Sequence, residues 1–192
     1  EECKQVNHRK TLPSRMVLEG VPKIGYNIRL SPFPGSVEAC MAYLGDLVDY
    51  DYIMGVSGAA FRRLFNKEDG GNIDLVYLAP EPHTRIFEAI GYECDTIPRD
   101  KAAMVRAIKK SINNGRPVIA FGIIGPPEAG IVTGYDGDGE VLLGYSYFQD
   151  PSETGYYERS DWFEIIDPGG PYGLIVIGDR KKSKPSQREI LT

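Results

Sequence analysis

DKAAMVRAIKKSINNGRPVIAFGII, residues 100–124, is the stretch that decides the fold. Asp100 reads as the N-cap of a helix that runs to Asn113, and Asn114-Gly115 reads as its end. After Gly115 the period changes from helix to strand. Pro117 to Ile124 is a continuous apolar run, the pattern of a strand buried on both faces. Downstream, Ala129 to Tyr135 and Glu140 to Tyr147 flank Asp136-Gly137-Asp138-Gly139, which predicts an antiparallel hairpin. Trp162 to Ile166 and Gly173 to Ile177 read as two further strands bounded by Gly and Pro.

Upstream the text is helical. Residues 1–15 form an irregular lead-in, Met16 to Val21 a short strand stopped by Pro22, and Tyr26 to Gly35 a turn-rich connection. From Ser36 through Val48, apolar Val37, Cys40, Met41, Leu44 and Val48 recur at spacings of three and four, the mark of an amphipathic helix with Ser36 as N-cap. Asp51 to Val56 predicts a second short helix, Ala59 to Phe65 an extended apolar stretch, and residues 66–72 a polar loop. Glu81 to Ile90 predicts a helix stopped by Gly91, with Ile86, Phe87 and Ile90 inward. Helices precede a mostly antiparallel sheet, the order of an α+β domain. One domain over residues 1–180 accounts for this, followed by a basic linker at 181–192 that opens a helix: Ser186 and Glu189 have capping-box spacing. The chain then stops within two turns, which reads as a docking arm or as a piece of a longer protein with a further domain beyond it.

Composition narrows the function classes. The chain has 192 residues, 42% of them hydrophobic, enough for a core without disulfides or metals. Lys and Arg number 22 against 27 Asp and Glu, a formal charge of −5 that argues against a general nucleic-acid binder. No run of eighteen apolar residues predicts a membrane span. Three cysteines, Cys3, Cys40 and Cys94, without CxxC spacing point to a reduced, cytoplasmic chain by default. The first residue is Glu1, so a removed leader stays open. Neither His8 nor His83 has metal-ligand neighbours in sequence, and no metal or cofactor is expected. His83 reads as a surface or helix-start residue. The twelve tyrosines suit an interface as well as a core, which keeps homo-oligomerisation open.

Two motifs fail on inspection. Gly55-Val56-Ser57-Gly58-Ala59 has Ala59 where the nucleophile elbow needs its second Gly. Asp136, Asp138 and Glu140 open like a calcium loop, but Val141 and Tyr147 stand where Gly and the bidentate Glu belong. Cys40 sits a full turn inside its helix on an apolar face, where small buried cysteines are common.

Ser36-Val37-Glu38-Ala39-Cys40-Met41-Ala42-Tyr43-Leu44-Gly45, then Gly55 to Phe61, then Asn113 to Ile119, then Thr133-Gly134-Tyr135-Asp136, together resemble the papain-like group. Within it the order is most similar to C39-peptidase-like domains and to the N-terminal domain of the butirosin biosynthesis H protein, over residues 25–150. The resemblance implies a papain-like α+β fold, its first helices packed on the sheet. In active members a Cys opens the first long helix, a His begins the strand into the Gly-Tyr-Asp hairpin, and an Asp or Asn on the next strand orients that His. Carried over, the nucleophile position is most nearly Ser36, the His position falls at Glu128 or Ala129, and the orienting position at Gly144 or, less well, Asp150. The triad is absent. The resemblance therefore implies a pseudoenzyme whose former cleft, walled by Phe33, Ser36, Glu38, Pro127, Glu128 and Tyr145, binds a small molecule or peptide. The alternative is an acyltransferase or hydrolase that uses Cys40, or Ser36 assisted by Glu128, since butirosin H-like relatives transfer acyl groups.

Overall fold

The computed structural model describes residues 12–25, 28–61, 80–124, 128–149, 155–166 and 173–190. Seven antiparallel strands form one sheet: β1 (Met16–Val17), β2 (Tyr92–Ile97), β3 (Val118–Phe121), β4 (Ala129–Asp136), β5 (Val141–Ser146), β6 (Tyr157–Arg159) and β7 (Leu174–Arg180). Their spatial order is β2-β7-β3-β4-β5-β6, and β1 continues along β4 where β3 ends. The helices are α1 (Pro32–Tyr43), α2 (Tyr50–Val56), α3 (Pro80–Ile90), α4 (Lys101–Asn113), α5 (Trp162–Ile165) and α6 (Gln187–Ile190). The chain is thus α+β, as its pattern predicts.

Pairing register assigns the helices to faces. Phe121 pairs with Ala129 and Ile119 with Ile131, so these four side chains share one face, and the Phe33 ring of α1 stacks on Phe121 there. A bulge between Val132 and Gly134 flips the parity of β4, so Tyr135 points to the other face, where its hydroxyl meets Asn113 of α4 at 2.6 Å. Central β4 is buried at every position from Ala129 to Tyr135 because α1 covers one side and α4 the other.

Asp100 caps α4 by accepting from the Ala103 amide at 2.7 Å, and α3 stops at Gly91, which adopts φ +79°. The β4–β5 turn at Gly137–Gly139 holds a side chain from neither glycine. A Cβ at Gly139 would lie 2.8 Å from Val105 of α4. Around this turn Asp136 pairs with Arg15, Asp138 with Lys109 at 2.6 Å and Glu140 with Lys101 at 3.2 Å, so each acid of the calcium-like triplet has a cation. The Asp136 carboxyl is held below its usual range by Arg15 and then by the Gly137 amide.

Several expectations need correction. Helix α1 begins at Pro32, not Ser36, and ends at Tyr43, not Val48. Proline lacks an N–H that the first turn leaves without a helical partner anyway, so Pro32 and Pro34 open the helix instead of preceding it. Its end is a Schellman arrangement: Gly45 at φ +80°, with the Asp46 amide donating to Met41 O at 3.0 Å and that of Gly45 to Ala42 O at 3.1 Å. Trp162 to Ile165 is helical, not a strand; an apolar run this short fits either, and the fully buried Trp162 anchors it by donating to Gly139 O at 3.1 Å. Ala59–Phe61 is a 3₁₀ turn and not extended; residues 62–72 lie outside the described set. Strands β2 and β6 escape the sequence reading because each is a sheet edge with polar residues on its open side.

The segment after β7 is mostly exposed and touches the domain at a few points. The Lys181 amide donates to Gly91 O at 2.8 Å, the Lys184 stem packs over Gly91, and its ammonium lies 5.5 Å from the Tyr52 ring centroid. The Ser186–Glu189 capping box closes both ways, at 2.8 and 3.4 Å, and opens α6. No described helix is long and apolar enough to cross a membrane.

Candidate ligand-binding site

Helix α1 has two unlike flanks. Phe33, Ser36, Val37, Cys40 and Met41 are buried, closed off from solvent. Ser36 is not an N-cap: its hydroxyl donates to Pro32 O at 2.8 Å, one turn back within the helix. The residue in the capping position is Ser31, whose backbone is extended. Burial pushes the Cys40 thiol well above its usual range, the reverse of what a nucleophilic thiolate requires. Ser57, from the elbow-like motif, ends α2 and donates to Met54 O at 2.9 Å.

At the α1 N-terminal turn the Phe33 ring meets Phe121 at 5.9 Å and the imidazole of His83 at 4.3 Å. His83 is only 2% exposed, so it is a helix-start residue as expected but not a surface one. The Gly122 amide donates to Glu128 O at 3.0 Å, which sets half-buried Glu128 beside the Phe121–Ala129 pair and hence at the same end of the sheet as Phe33. The orienting position fares differently. Gly144 pairs with Val132, on the face away from α1, and a Cβ there would collide with Ile131 O and meet the Tyr157 hydroxyl at 2.8 Å. Tyr157 fills that space, donating to Ile131 O at 3.2 Å, and its burial pushes the phenol up. Pro127 and Asp150 lie outside the described residues.

The outward flank borders a cleft of about 390 Å³. Gly35 and Ala39 of α1, themselves buried, and half-buried Ala42 form its small-residue floor, Ile24, Ile28, Leu47 and Val48 its apolar sides, and Glu38, Arg29, Lys23 and Asp49 its charges. Arg29 donates to Glu38 from Nε and Nη2 along one edge of its guanidinium, at 2.7 Å each, and Glu38 is the principal cause that holds Arg29 more firmly protonated than usual. The Tyr147 hydroxyl donates to Arg29 O at 2.5 Å and fixes the strap that carries Arg29 along the helix. Volume and lining place this cleft within the range of small-molecule sites. A roomier groove of about 690 Å³ runs between α4 and the β2–β7 edge, but Glu93, Asp95, Lys110 and Arg116 make it polar, and Arg116 pairs with Asp179 at 2.5 Å.

Of the expected wall residues that are described, only Glu38 lines the cleft. Phe33 and Ser36 face inward, and Tyr145 is buried beside Tyr156 with the Lys23 ammonium 5.6 Å from its ring. Arg29, Leu47 and Tyr147 carry no signal of this role in the sequence. The available signal was the run of small residues at 35, 39 and 42, spaced four and three apart on one helix. Compared with protein-family models and with curated proteins, the chain matches neither a family model nor a curated sequence.

Proposed function

We propose that this chain is a ligand-binding domain of papain-like descent without thiol peptidase chemistry, and that a small molecule or short peptide segment occupies the cleft on the outward flank of α1. One observation carries the reading: the nucleophile-type groups of α1 are enclosed, Ser36 by its own helix and Cys40 by the core, while an apolar cleft opens on the other side of the same helix. Descent rests on the order of features: a first long helix packed on an antiparallel sheet, and later the Gly134-Tyr135-Asp136 ribbon. Function belongs to a site and not to its scaffold, so a retained scaffold is compatible with lost peptidase chemistry.

The test pairs two measurements on the folded chain. A thiol-directed peptidase probe leaves it unlabelled, and neutral octyl glucoside shifts the amide resonances of Gly35, Ala39 and Leu47, an effect lost in Ala42→Leu. Probe labelling that disappears in Cys40→Ala overturns the reading.

A second reading, an acyltransferase or hydrolase, draws on one observation: α3 delivers the His83 imidazole to the α1 N-terminal turn. It requires a hydroxyl or thiol within roughly 4 Å of a base in the working state. Ester hydrolysis abolished equally by His83→Ala and Ser36→Ala, with the fold retained, would replace binding by catalysis.

A further inference from the structure

Strand β2 is bonded to β7 on one side, and among the described residues no strand lies on its other side. Its edge therefore presents backbone N–H and C=O groups to solvent along 6 residues, about 20 Å of strand. A bulge between Tyr92 and Cys94 leaves the pairing with β7 regular from residue 94 to 97. The opposite edge of the sheet, β6, has only 3 residues. Alternate β2 residues Glu93, Asp95 and Ile97 line the groove of about 690 Å³, and its far wall is α4 through Ala107, Lys110 and Asn114. An open edge facing a helix across a groove is the arrangement in which an extended peptide adds itself as a further strand: its backbone bonds to the edge and its alternate side chains enter the groove.

Charge decides between a second copy of the chain and a different one. Of the charged lining residues, Arg116 and Asp179 satisfy each other at 2.5 Å, which leaves Glu93 and Asp95 on the edge and Lys110 on the helix. Glu93 and Asp95 are exposed and enter no ion pair among the described residues. Antiparallel pairing of β2 with its copy would set carboxylate against carboxylate: centred on Cys94 it places Glu93 opposite Asp95, and centred on Asp95 it places that residue opposite itself. Charges on an edge guard against self-pairing in this way, and a strand that carries cations escapes the penalty. We propose that β2 and α4 form a docking groove for an extended, basic segment of another protein, added as a strand beside β2 with its cationic side chains opposite Glu93 and Asp95. Lys110 offsets part of the attraction, so the charge preference is modest and weakens in salt, while backbone pairing supplies the rest.

Three capped peptides of equal length, titrated into the whole chain at neutral pH, separate the terms: alternating Val and Lys, alternating Val and Glu, and the Val-Lys peptide with all its amides N-methylated. The Val-Lys peptide is expected to bind on the order of tenfold more tightly than the Val-Glu peptide, because two cross-strand pairs change from attraction to repulsion. It should shift the amide resonances of Cys94, Asp95, Thr96 and Lys110. The N-methylated peptide keeps the charge but cannot pair with an edge, so it should not bind. Glu93→Lys combined with Asp95→Lys should invert the order of the first two peptides. Equal affinity of those two overturns the basic character of the partner. Binding of the N-methylated form as tightly as its parent, shifts confined to other elements, or no binding by any peptide overturns strand addition. A dimer in sedimentation that protects the β2 amides from exchange makes the occupant a second copy and overturns the proposal as well. The groove shares no residue with the α1 cleft, so each of these outcomes leaves the ligand-binding reading standing.

Discussion

The two flanks of α1 differ in what their residues touch, and the difference separates structure from function along a single helix. On the sheet side every position is filled. Phe33 stacks on Phe121, Ser36 bonds to its own helix, and Cys40 and Met41 lie wholly in the core. On the opposite side Gly35, Ala39 and Ala42 present almost no side chain, and the nearest neighbours are a strap and a loop that leave a cleft between them. Residue types that suggest chemistry are on the filled side, where packing explains them. Residue types that suggest nothing, a glycine and two alanines, make room for a ligand.

The comparison is broken most directly at Phe33. Its ring is buried against His83 and Phe121, and Phe33→Ala leaves a cavity at the junction of α1, α3 and β3 that close-packed neighbours refill only in part. A loss of about 3–5 kcal/mol is expected, with a fall in Tm on the order of 10 °C. Leu47→Ser on the other side should change stability by no more than about 0.5 kcal/mol while weakening octyl glucoside binding. Thermal unfolding of the two variants in parallel checks both. Equal losses would mean that the cleft rim is part of the core.

How much of this was legible beforehand depends on how far each signal reaches along the chain. Asp100 with its helix, the hairpin around Asp136 to Gly139 and the Ser186–Glu189 box are specified within a few residues, and they fold as they read. The start of α1 is ambiguous in the sequence because Pro32 and Pro34 serve a turn and a helical first turn equally well. Edge strand β2, whose open positions are Glu93, Asp95 and Thr96, offers no apolar alternation to detect. The cleft was the least legible part. Tyr147 reaches Arg29 across 118 residues of sequence, and no local pattern announces that contact. Glu38 is the one described wall residue that the papain-like resemblance points to, and its Arg29 partner has no such signal.

A smaller effect tests whether Cys40 is structural. Cys40→Ser places a hydroxyl where the thiol is fully buried, at a cost of about 1–2 kcal/mol, limited because a helical serine can donate one turn back as Ser36 does. The urea midpoint should fall with an unchanged slope. Binding of octyl glucoside should be unaltered, since Cys40 does not line the cleft. A change in affinity without a change in midpoint would place Cys40 in a working site and reverse the assignment of the flanks.

The smallest effect has the opposite sign. Gly35 is helical with negative φ, and a Cβ there would meet Arg29 Cβ at 3.4 Å and Cγ at 3.6 Å, ordinary contact with a flexible side chain. Gly35→Ala should therefore stabilise the chain by about 0.5–1 kcal/mol, because alanine loses less backbone freedom on folding. It should also take some of the cleft floor and weaken octyl glucoside binding a few-fold. Natural use of the less stable residue at 35 then makes sense as room kept for a ligand. If Gly35→Ala destabilises instead, the Arg29–Glu38 strap is packed rigidly against α1, and the outward flank belongs to the core as fully as the inward one.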